Sequence, residues 1–120
     1  MGKLINSNKE EFNSILESEE GVVIVDFWAE WCGPCRVIGP VLQTISEEQD
    51  VTVVKVNVDD NSELGAEYGI RSIPTILVFK DGEQVEKLVG AQSQKTFEDL
   101  IDKHSGDTNK EETESDESKD

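Results

Sequence analysis

The sequence predicts an α/β domain in which a central mixed β-sheet of about five strands is flanked by about four helices. Two observations support this prediction. Apolar, β-branched runs alternate with amphipathic segments, and the last two runs are joined by a two-residue hairpin signal. The expected order of elements is β α β α β α β β α. A chain of 120 residues can build one hydrophobic core but is too short for two ordinary domains.

The first helix and the first long strand follow from local signals. Ser7 to Glu10 reads S-x-x-E, a capping box that marks the start of a helix. Three apolar residues then fall on one face of this helix: Phe12, Ile15 and Leu16. The run GVVIVDFW (21–28) is almost continuously apolar, which is typical of a central strand covered on both faces.

A second helix is expected from Pro34 to about Gln49, and Pro40 inside it predicts a kink. Its predicted buried stripe comprises Val37, Ile38, Val41, Leu42 and Ile45. The run VTVVKVNV (51–58) has the β-branched composition of a second buried strand.

The next elements are shorter. Ser62 to Tyr68 suits a short helix that Gly69 is placed to end. The run from Ile76 to Lys80 predicts a strand, and Asp81-Gly82 predicts a tight turn into a partner strand from Gln84 to Val89.

The final helix is expected to begin at Ser93 as its N-cap. Its apolar face holds Phe97, Leu100, Ile101 and His104. From Ser105 to Asp120 there is no apolar side chain, and seven acids against two lysines give a net charge of −5. Because this segment cannot bury enough surface to offset ordering, we expect a folded domain over residues 1–104 and a disordered acidic tail over 105–120.

The charge of the chain narrows the classes of partner. The total is −16, of which the tail accounts for −5, so residues 1–104 retain −11. Such a field repels phosphate backbones and anionic lipid headgroups, so neither nucleic acid nor membrane partners are expected. The start of the chain has no apolar signal region, and no apolar run approaches the ~18 to 20 residues of a membrane span. We therefore expect a soluble cytoplasmic protein, and we also expect it to be a monomer.

The only two cysteines, Cys32 and Cys35, lie in WAEWCGPCRV (28–37), between a predicted strand and a predicted helix. Structural zinc needs four Cys or His ligands, and His104 is the only histidine, so no metal site is expected. A structural staple is also disfavoured. Cross-linking stabilises more as the closed loop lengthens, and the loop from Cys32 to Cys35 is very short.

A redox pair has a physical basis at this position. Cys32 would stand at the start of the helix, where free N–H groups and the helix dipole favour a thiolate. Cys35, three residues later, lies on the same face within reach of a disulfide. Pro34 is tolerated there because N–H groups of the first turn have no intrahelical partner. We expect Cys32 to attack and Cys35 to resolve.

Asp26 is the single charged residue within the apolar run 21–28. Period-two alternation places it on one face with Ile24 and Trp28. A carboxylate buried there without a partner should have a raised pKa. Alternatively, a neighbouring strand satisfies it, and Lys55 is a possible partner.

Four segments in order resemble the thioredoxin family over roughly residues 4–104: VVIVDFWAEWCGPCRVIGP, VVKVNVDDN, YGIRSIPTILVFKDG and LVGAQS. The resemblance implies the thioredoxin fold and a general protein-disulfide reductase that acts by dithiol–disulfide exchange. Cys32 matches the nucleophile and Cys35 the resolving thiol.

The resemblance also implies roles for residues around the cysteines. Asp26 would be the buried acid that takes and returns the proton of the resolving thiol, with Lys55 paired to it. Pro74 would be a cis-proline whose loop faces the disulfide, while Trp28 supports the core. The backbone of Ile73 would pair with a substrate strand. The implied docking patch consists of Trp31, Gly33, Pro34, Ile73, Val89, Gly90 and Ala91.

No bound cofactor is implied, since the dithiol is itself the redox centre. Thioredoxin reductase, most often a flavoprotein using NADPH, would recharge it. Family partners include ribonucleotide reductase, peroxiredoxins and methionine sulfoxide reductases, which links the chain to electron transport and cell redox homeostasis. Two features depart from the family pattern: Arg36 stands where lysine is common, and the acidic tail lies outside the core pattern.

Two other functions stay open. The fold could serve as a redox-independent binding subunit of a larger assembly, or the pair could act as a disulfide oxidase or isomerase. The Gly-Pro pair and the missing signal peptide disfavour the oxidase. A double Cys-to-Ser variant distinguishes the adaptor, which would keep its function.

Overall fold

The computed structural model describes residues 2–105, which form five strands and four helices in the predicted order. The elements are β1 (Lys3–Asn6), α1 (Lys9–Ser18), β2 (Val22–Trp28), α2 (Gly33–Glu48), β3 (Thr52–Asn57), α3 (Ser62–Glu67), β4 (Thr75–Lys80), β5 (Glu83–Val89) and α4 (Gln94–Ser105). Within this part of the chain, no helix is long and apolar enough to cross a membrane.

The five strands form one mixed sheet in the order β1-β3-β2-β4-β5. β3 runs parallel to β1 and to β2, whereas β4 is antiparallel to both β2 and β5. β2 lies at the centre, and all of its residues except Trp28 are buried. The prediction of a central strand covered on both faces is therefore confirmed.

Helices cover both faces of the sheet and create two cores. On one face, α2 and α4 pack over β2 with a cluster that includes Ile24, Ile38, Leu42, Phe97 and Ile101. On the other face, α1 and α3 pack against the sheet through a cluster that includes Phe12, Leu16, Val25, Phe27 and Leu64. Because side chains alternate along a strand, successive residues of β2 belong to different cores. Asp26 shares its face with Ile24, so it points to the side that α2 covers.

The hairpin between β4 and β5 has the turn that its sequence predicts. Asp81 and Gly82 both have positive φ, at 52° and 87°. This combination matches the right-handed twist of the flanking strands. Gly69, with φ of 67°, follows α3 at the position predicted to end it.

The predicted capping box of α1 is wrong. The N-cap is Asn8, whose side-chain oxygen accepts a hydrogen bond from the backbone N–H of Glu11 at 2.9 Å. Ser7 is buried, and its own N–H donates to the carbonyl of Lys55 at 2.9 Å. Ser7 therefore continues the pairing of β1 with β3, and the helix starts one residue later.

The predicted stripe of α2 is partly wrong. Ile38, Leu42 and Ile45 are buried, but the side chain of Val37 is 66% exposed. Successive residues are separated by about 100° around a helix, so Val37 turns away when Ile38 faces the sheet. Pro40 lies inside α2, which extends from Gly33 to Glu48, and the kink stays a prediction.

The end of the domain differs by one residue from the prediction. Ser105, expected as the first residue of the tail, is the last residue of α4. The remainder of the predicted tail, residues 106–120, lies outside the described residues. The division of the chain into a domain and a tail stays a prediction.

Candidate functional site

The two cysteines lie where β2 gives way to α2. Cys32 is the N-cap of α2, and Cys35 lies in its first turn. A disulfide joins them, with Cα atoms 5.3 Å apart. The backbone N–H of Cys35 points at the sulfur of Cys32, 3.2 Å away. An N–H aimed at a sulfur atom at a helix start favours its thiolate form, so the geometry supports Cys32 as the attacking sulfur.

The short turn before α2 determines where Cys32 lies. Its N–H donates to the carbonyl of Ala29 at 3.2 Å, and its carbonyl accepts from the N–H of Arg36 at 3.3 Å. Pro34 occupies the first helical turn, where the missing N–H costs no hydrogen bond. Each cysteine is only 4% exposed, so a partner must reach the disulfide through the surface around it.

Pro74 brings a second backbone segment to the disulfide. The Ile73–Pro74 peptide bond is cis, which confirms the expectation from the family resemblance. The carbonyl oxygen of Ile73 lies 3.7 Å from the sulfur of Cys32. Ile73 and Trp28 also pack against the cluster of Ala29 and the two cysteines. The loop before β4 therefore faces the sulfur that is expected to attack.

Asp26 is completely buried in β2, on the face of the sheet that α2 covers. Within residues 2–105, neither of its carboxylate oxygens has a hydrogen-bond partner. Burial raises the pKa of Asp26 from 3.8 to about 6, while the positive charge of Lys55 acts in the opposite direction. The predicted rise in pKa is confirmed, and desolvation is its main cause.

Lys55, the possible partner of Asp26, makes no direct hydrogen bond to its carboxylate within residues 2–105, but its charge does act on Asp26. The two residues are neighbours in the register of β2 and β3, but the Lys55 ammonium lies 4.7 Å from the centre of the Trp28 ring. A cation over an indole face is held by the ring's quadrupole and can stay nearer to solvent. Lys55 therefore acts on Asp26 through space, and Trp28 positions the ammonium.

The residues of the predicted docking patch lie on two sides of the disulfide. Gly33 and Pro34 are exposed at the start of α2, and Trp31 beside them is 68% exposed. On the other side, Val89 is 58% exposed and pairs with Thr75, while the N–H of Gly90 donates to the carbonyl of Pro74 at 2.8 Å. Ala91 follows and is exposed. The role of this patch in docking substrates stays a prediction.

The α3 side of the site is not predicted from the sequence. A groove beside Trp31 and Ile73 is also lined by Val58, Ser62, Gly65, Ala66, Ile70, Arg71 and Ser72. The Trp31 indole N–H donates to the carboxylate of Asp59 at 2.9 Å. No periodicity or motif indicates that α3 borders the cysteines, because this contact depends on the packing of distant segments.

The described residues offer no alternative metal centre. Among residues 2–105, no group of three or more His, Cys, Asp or Glu side chains could hold a metal ion. His104 contacts Glu86 instead, with 2.7 Å between its Nε2 atom and the carboxylate.

Comparison with known proteins agrees with this geometry. The family model described as Thioredoxin matches residues 3–103. A thioredoxin of Bacillus subtilis (strain 168) is 44% identical over 103 residues, which is 84% of this chain and 97% of that protein. A thioredoxin of Porphyra purpurea is 52% identical over 84 residues, or 68% of this chain and 78% of that protein.

A solved structure, that of a mutant thioredoxin from Halobacterium salinarum NRC-1, superposes with a TM-score of 0.82 at 38% identity. The match covers 90% of this chain and 95% of that one. Together with the disulfide at the start of α2, these matches show that the chain belongs to the thioredoxin family, as a dithiol–disulfide redox protein of the protein-disulfide reductase class.

Proposed function

We propose that this chain is a general electron donor to cytoplasmic thiol-dependent enzymes and is itself recharged by thioredoxin reductase with electrons from NADPH. The observation that carries the proposal is the Cys32–Cys35 disulfide at the N-terminus of α2, facing the carbonyl of Ile73. Ribonucleotide reductase, peroxiredoxins and methionine sulfoxide reductases are the proposed recipients. In this family the disulfide itself is the redox centre, with no bound cofactor.

The reaction begins with the thiolate of Cys32. It attacks one sulfur of the substrate disulfide, so a mixed disulfide forms while the substrate's second sulfur leaves as a thiolate. The thiolate of Cys35 then attacks Cys32, which restores the internal disulfide and releases the first substrate sulfur. Two electrons and two protons pass to the substrate. Thioredoxin reductase returns both to the Cys32–Cys35 pair.

Asp26 is the proposed proton acceptor for Cys35. A base works best when its pKa lies near the working pH, and burial raises the pKa of this carboxyl to about 6. It lies on the face of the sheet covered by α2, the helix that holds Cys35 in its first turn. The ammonium of Lys55 near the Trp28 ring would limit the rise in pKa and keep the carboxylate form accessible at neutral pH.

The experiment that tests this function couples NADPH oxidation by thioredoxin reductase to reduction of a model protein disulfide, with the redox potential titrated on the same sample. Cys32→Ser should abolish reduction, whereas Cys35→Ser should accumulate mixed disulfides with substrate through Cys32. Reversed behaviour of the two variants would show that the assigned roles are wrong.

The double cysteine variant and the titrated potential address the two alternatives. A redox-independent adaptor would retain its function in a strain that carries Cys32→Ser with Cys35→Ser. A potential near those of known disulfide oxidants would favour the oxidase or isomerase. We also propose that the protein is a cytoplasmic monomer. The strong negative charge of the chain supports the monomer, because it opposes self-association.

A further inference from the structure

The side chain of Arg36 holds the turn that leads to the disulfide. Its Nε and Nη2 atoms donate to the backbone carbonyl of Glu30, at 3.0 and 2.7 Å. Two donors of one planar guanidinium thus meet a single oxygen, an arrangement that a lysine ammonium does not reproduce. Within residues 2–105, no backbone N–H donates to this carbonyl, so Arg36 supplies its protein partner.

The carbonyl of Glu30 belongs to a tight turn that carries the sulfur expected to attack. The N–H of Cys32 donates to the carbonyl of Ala29 at 3.2 Å, which closes a β-turn over residues 29–32. Arg36 also contacts this turn through its backbone, since its N–H donates to the carbonyl of Cys32 at 3.3 Å. Arg36 therefore joins the turn to the start of α2 at two carbonyls, one of them that of Cys32 itself.

The charged surroundings of Arg36 make this use of its side chain specific. Arg36 lines a cleft of the surface together with three acidic residues, Glu30, Asp59 and Asp60. A guanidinium whose role is its charge pairs readily with a carboxylate. None of the ion pairs found within residues 2–105 includes Arg36, however. Its donors point at a backbone oxygen of the turn, which indicates that the side chain positions this segment.

We propose that Arg36 is a positioning residue that keeps Cys32 at the start of α2 when the disulfide is open. The inference rests on the proposed role of Cys32 as the attacking sulfur. In the oxidised protein, the bond between Cys32 and Cys35 itself ties the turn to α2. Reduction breaks this link and leaves the hydrogen bonds of Arg36 and of the Cys35 N–H to join the two segments. The contact of Arg36 therefore stabilises the dithiol form more than the disulfide form.

Redox exchange between a variant and the wild-type protein measures this difference. Reduced wild-type protein is mixed with the oxidised variant, and a trace of dithiothreitol carries electrons between them. Two electrons and two protons pass from the dithiol of one protein to the disulfide of the other, so one disulfide opens as the other closes. Alkylation and mass spectrometry then give the equilibrium constant for reduction of the variant, which is one when the two proteins are equivalent.

Three replacements of Arg36 separate its donors from its charge. Arg36→Met removes both, and since one hydrogen bond changes an equilibrium by about two- to tenfold, the constant should fall about threefold. Arg36→Gln is equally neutral but can place an amide donor where Nε lies, so it should recover about half of this loss. Arg36→Lys keeps the charge with a single donor group and should recover part of it. Lys87→Gln, at an exposed position of β5, controls for the lost charge and should give a constant of one.

The comparison of the two neutral variants decides between a donor and a charge. If Arg36→Gln behaves as Arg36→Met while Arg36→Lys behaves as the wild type, charge acts instead of the hydrogen bonds, and the proposal is overturned. Thermal unfolding supplies a second readout. Arg36→Met should lower the melting temperature of the reduced form more than that of the oxidised form. Equal losses in both forms would show a merely structural contact and would also overturn the proposal.

Reduction of hydroxyethyl disulfide, a small neutral substrate, separates this inference from the proposed function. If the wild-type protein reduces it through Cys32 but Arg36→Met exchanges with a constant of one, the inference is wrong and the reductase function stands. If the wild-type protein does not reduce it, the proposed function fails and the inference fails with it.

Discussion

Replacing Asp26 with asparagine should stabilise the protein, because it removes a buried charge while keeping the volume of the side chain. Burial raises the pKa of Asp26 from 3.8 to about 6, and Lys55 opposes this only in part. Each pH unit of difference between the folded and unfolded pKa corresponds to about 1.4 kcal/mol. The ionised carboxylate therefore costs the folded state about 3 kcal/mol at neutral pH.

The sign of the pH dependence follows from the raised pKa. Below about pH 4, Asp26 is largely protonated in both states, so the wild-type protein bears little of this cost. As pH rises from 4 to about 6, the unfolded state loses its proton first and wild-type stability falls; above that window the loss is constant. Burying the amide adds a cost that does not depend on pH. The gain of Asp26→Asn should thus grow by about 2 kcal/mol between pH 4 and pH 7.5.

Guanidinium unfolding of the oxidised proteins at several pH values measures this gain. Asp102→Asn, on an exposed position of α4, controls for the loss of one negative charge. Turnover of Asp26→Asn should fall as well, since the proposed proton acceptor is gone. A stability gain that stays constant between pH 4 and 7.5, or that tracks the Asp102→Asn control, would refute the raised pKa.

Three further predictions test other parts of the structure. Ile38→Ala should lower the free energy of unfolding by about 2–5 kcal/mol, whereas Val37→Ala should change it by less than about 0.5 kcal/mol, because only Ile38 is buried; similar losses would contradict the observed orientation of α2. Lys55→Gln removes the charge that lowers the pKa of Asp26, so carboxyl titration by NMR should move above about 6, and an unchanged titration would exclude this coupling. Truncation after Ser105 should alter the unfolding free energy by less than about 1 kcal/mol, and hydrogen-exchange protection between residues 106 and 120 would contradict a disordered tail.

Local chemistry in the sequence was sufficient for most of the fold and for the centre of the site. Alternating apolar runs and helical periodicity are set by neighbours a few residues apart, so β2, α2 and the Asp81-Gly82 turn could be predicted. The Cys-x-x-Cys spacing at a strand-to-helix junction likewise predicted the disulfide of Cys32 and Cys35. The cis bond before Pro74 was predicted from the family resemblance alone, because no local sequence pattern distinguishes a cis from a trans bond there.

Tertiary packing decided between local arrangements that the sequence allows equally well. Ser7 and Asn8 can both cap a helix, and the pairing of β1 with β3 uses the N–H of Ser7, so Asn8 is the cap. Lys55 could reach either Asp26 or solvent, and the position of the Trp28 ring directs its ammonium.

The surface around the disulfide could likewise not be predicted from local sequence. Trp31 borders an apolar groove and donates a hydrogen bond to Asp59 only because α3 and the segment at Asp59 pack beside it, although both lie tens of residues away in the chain. The sequence by itself determined which residues are apolar, charged or able to form a disulfide. Which of them meet at the site depends on long-range contacts, whose energies no short sequence window contains.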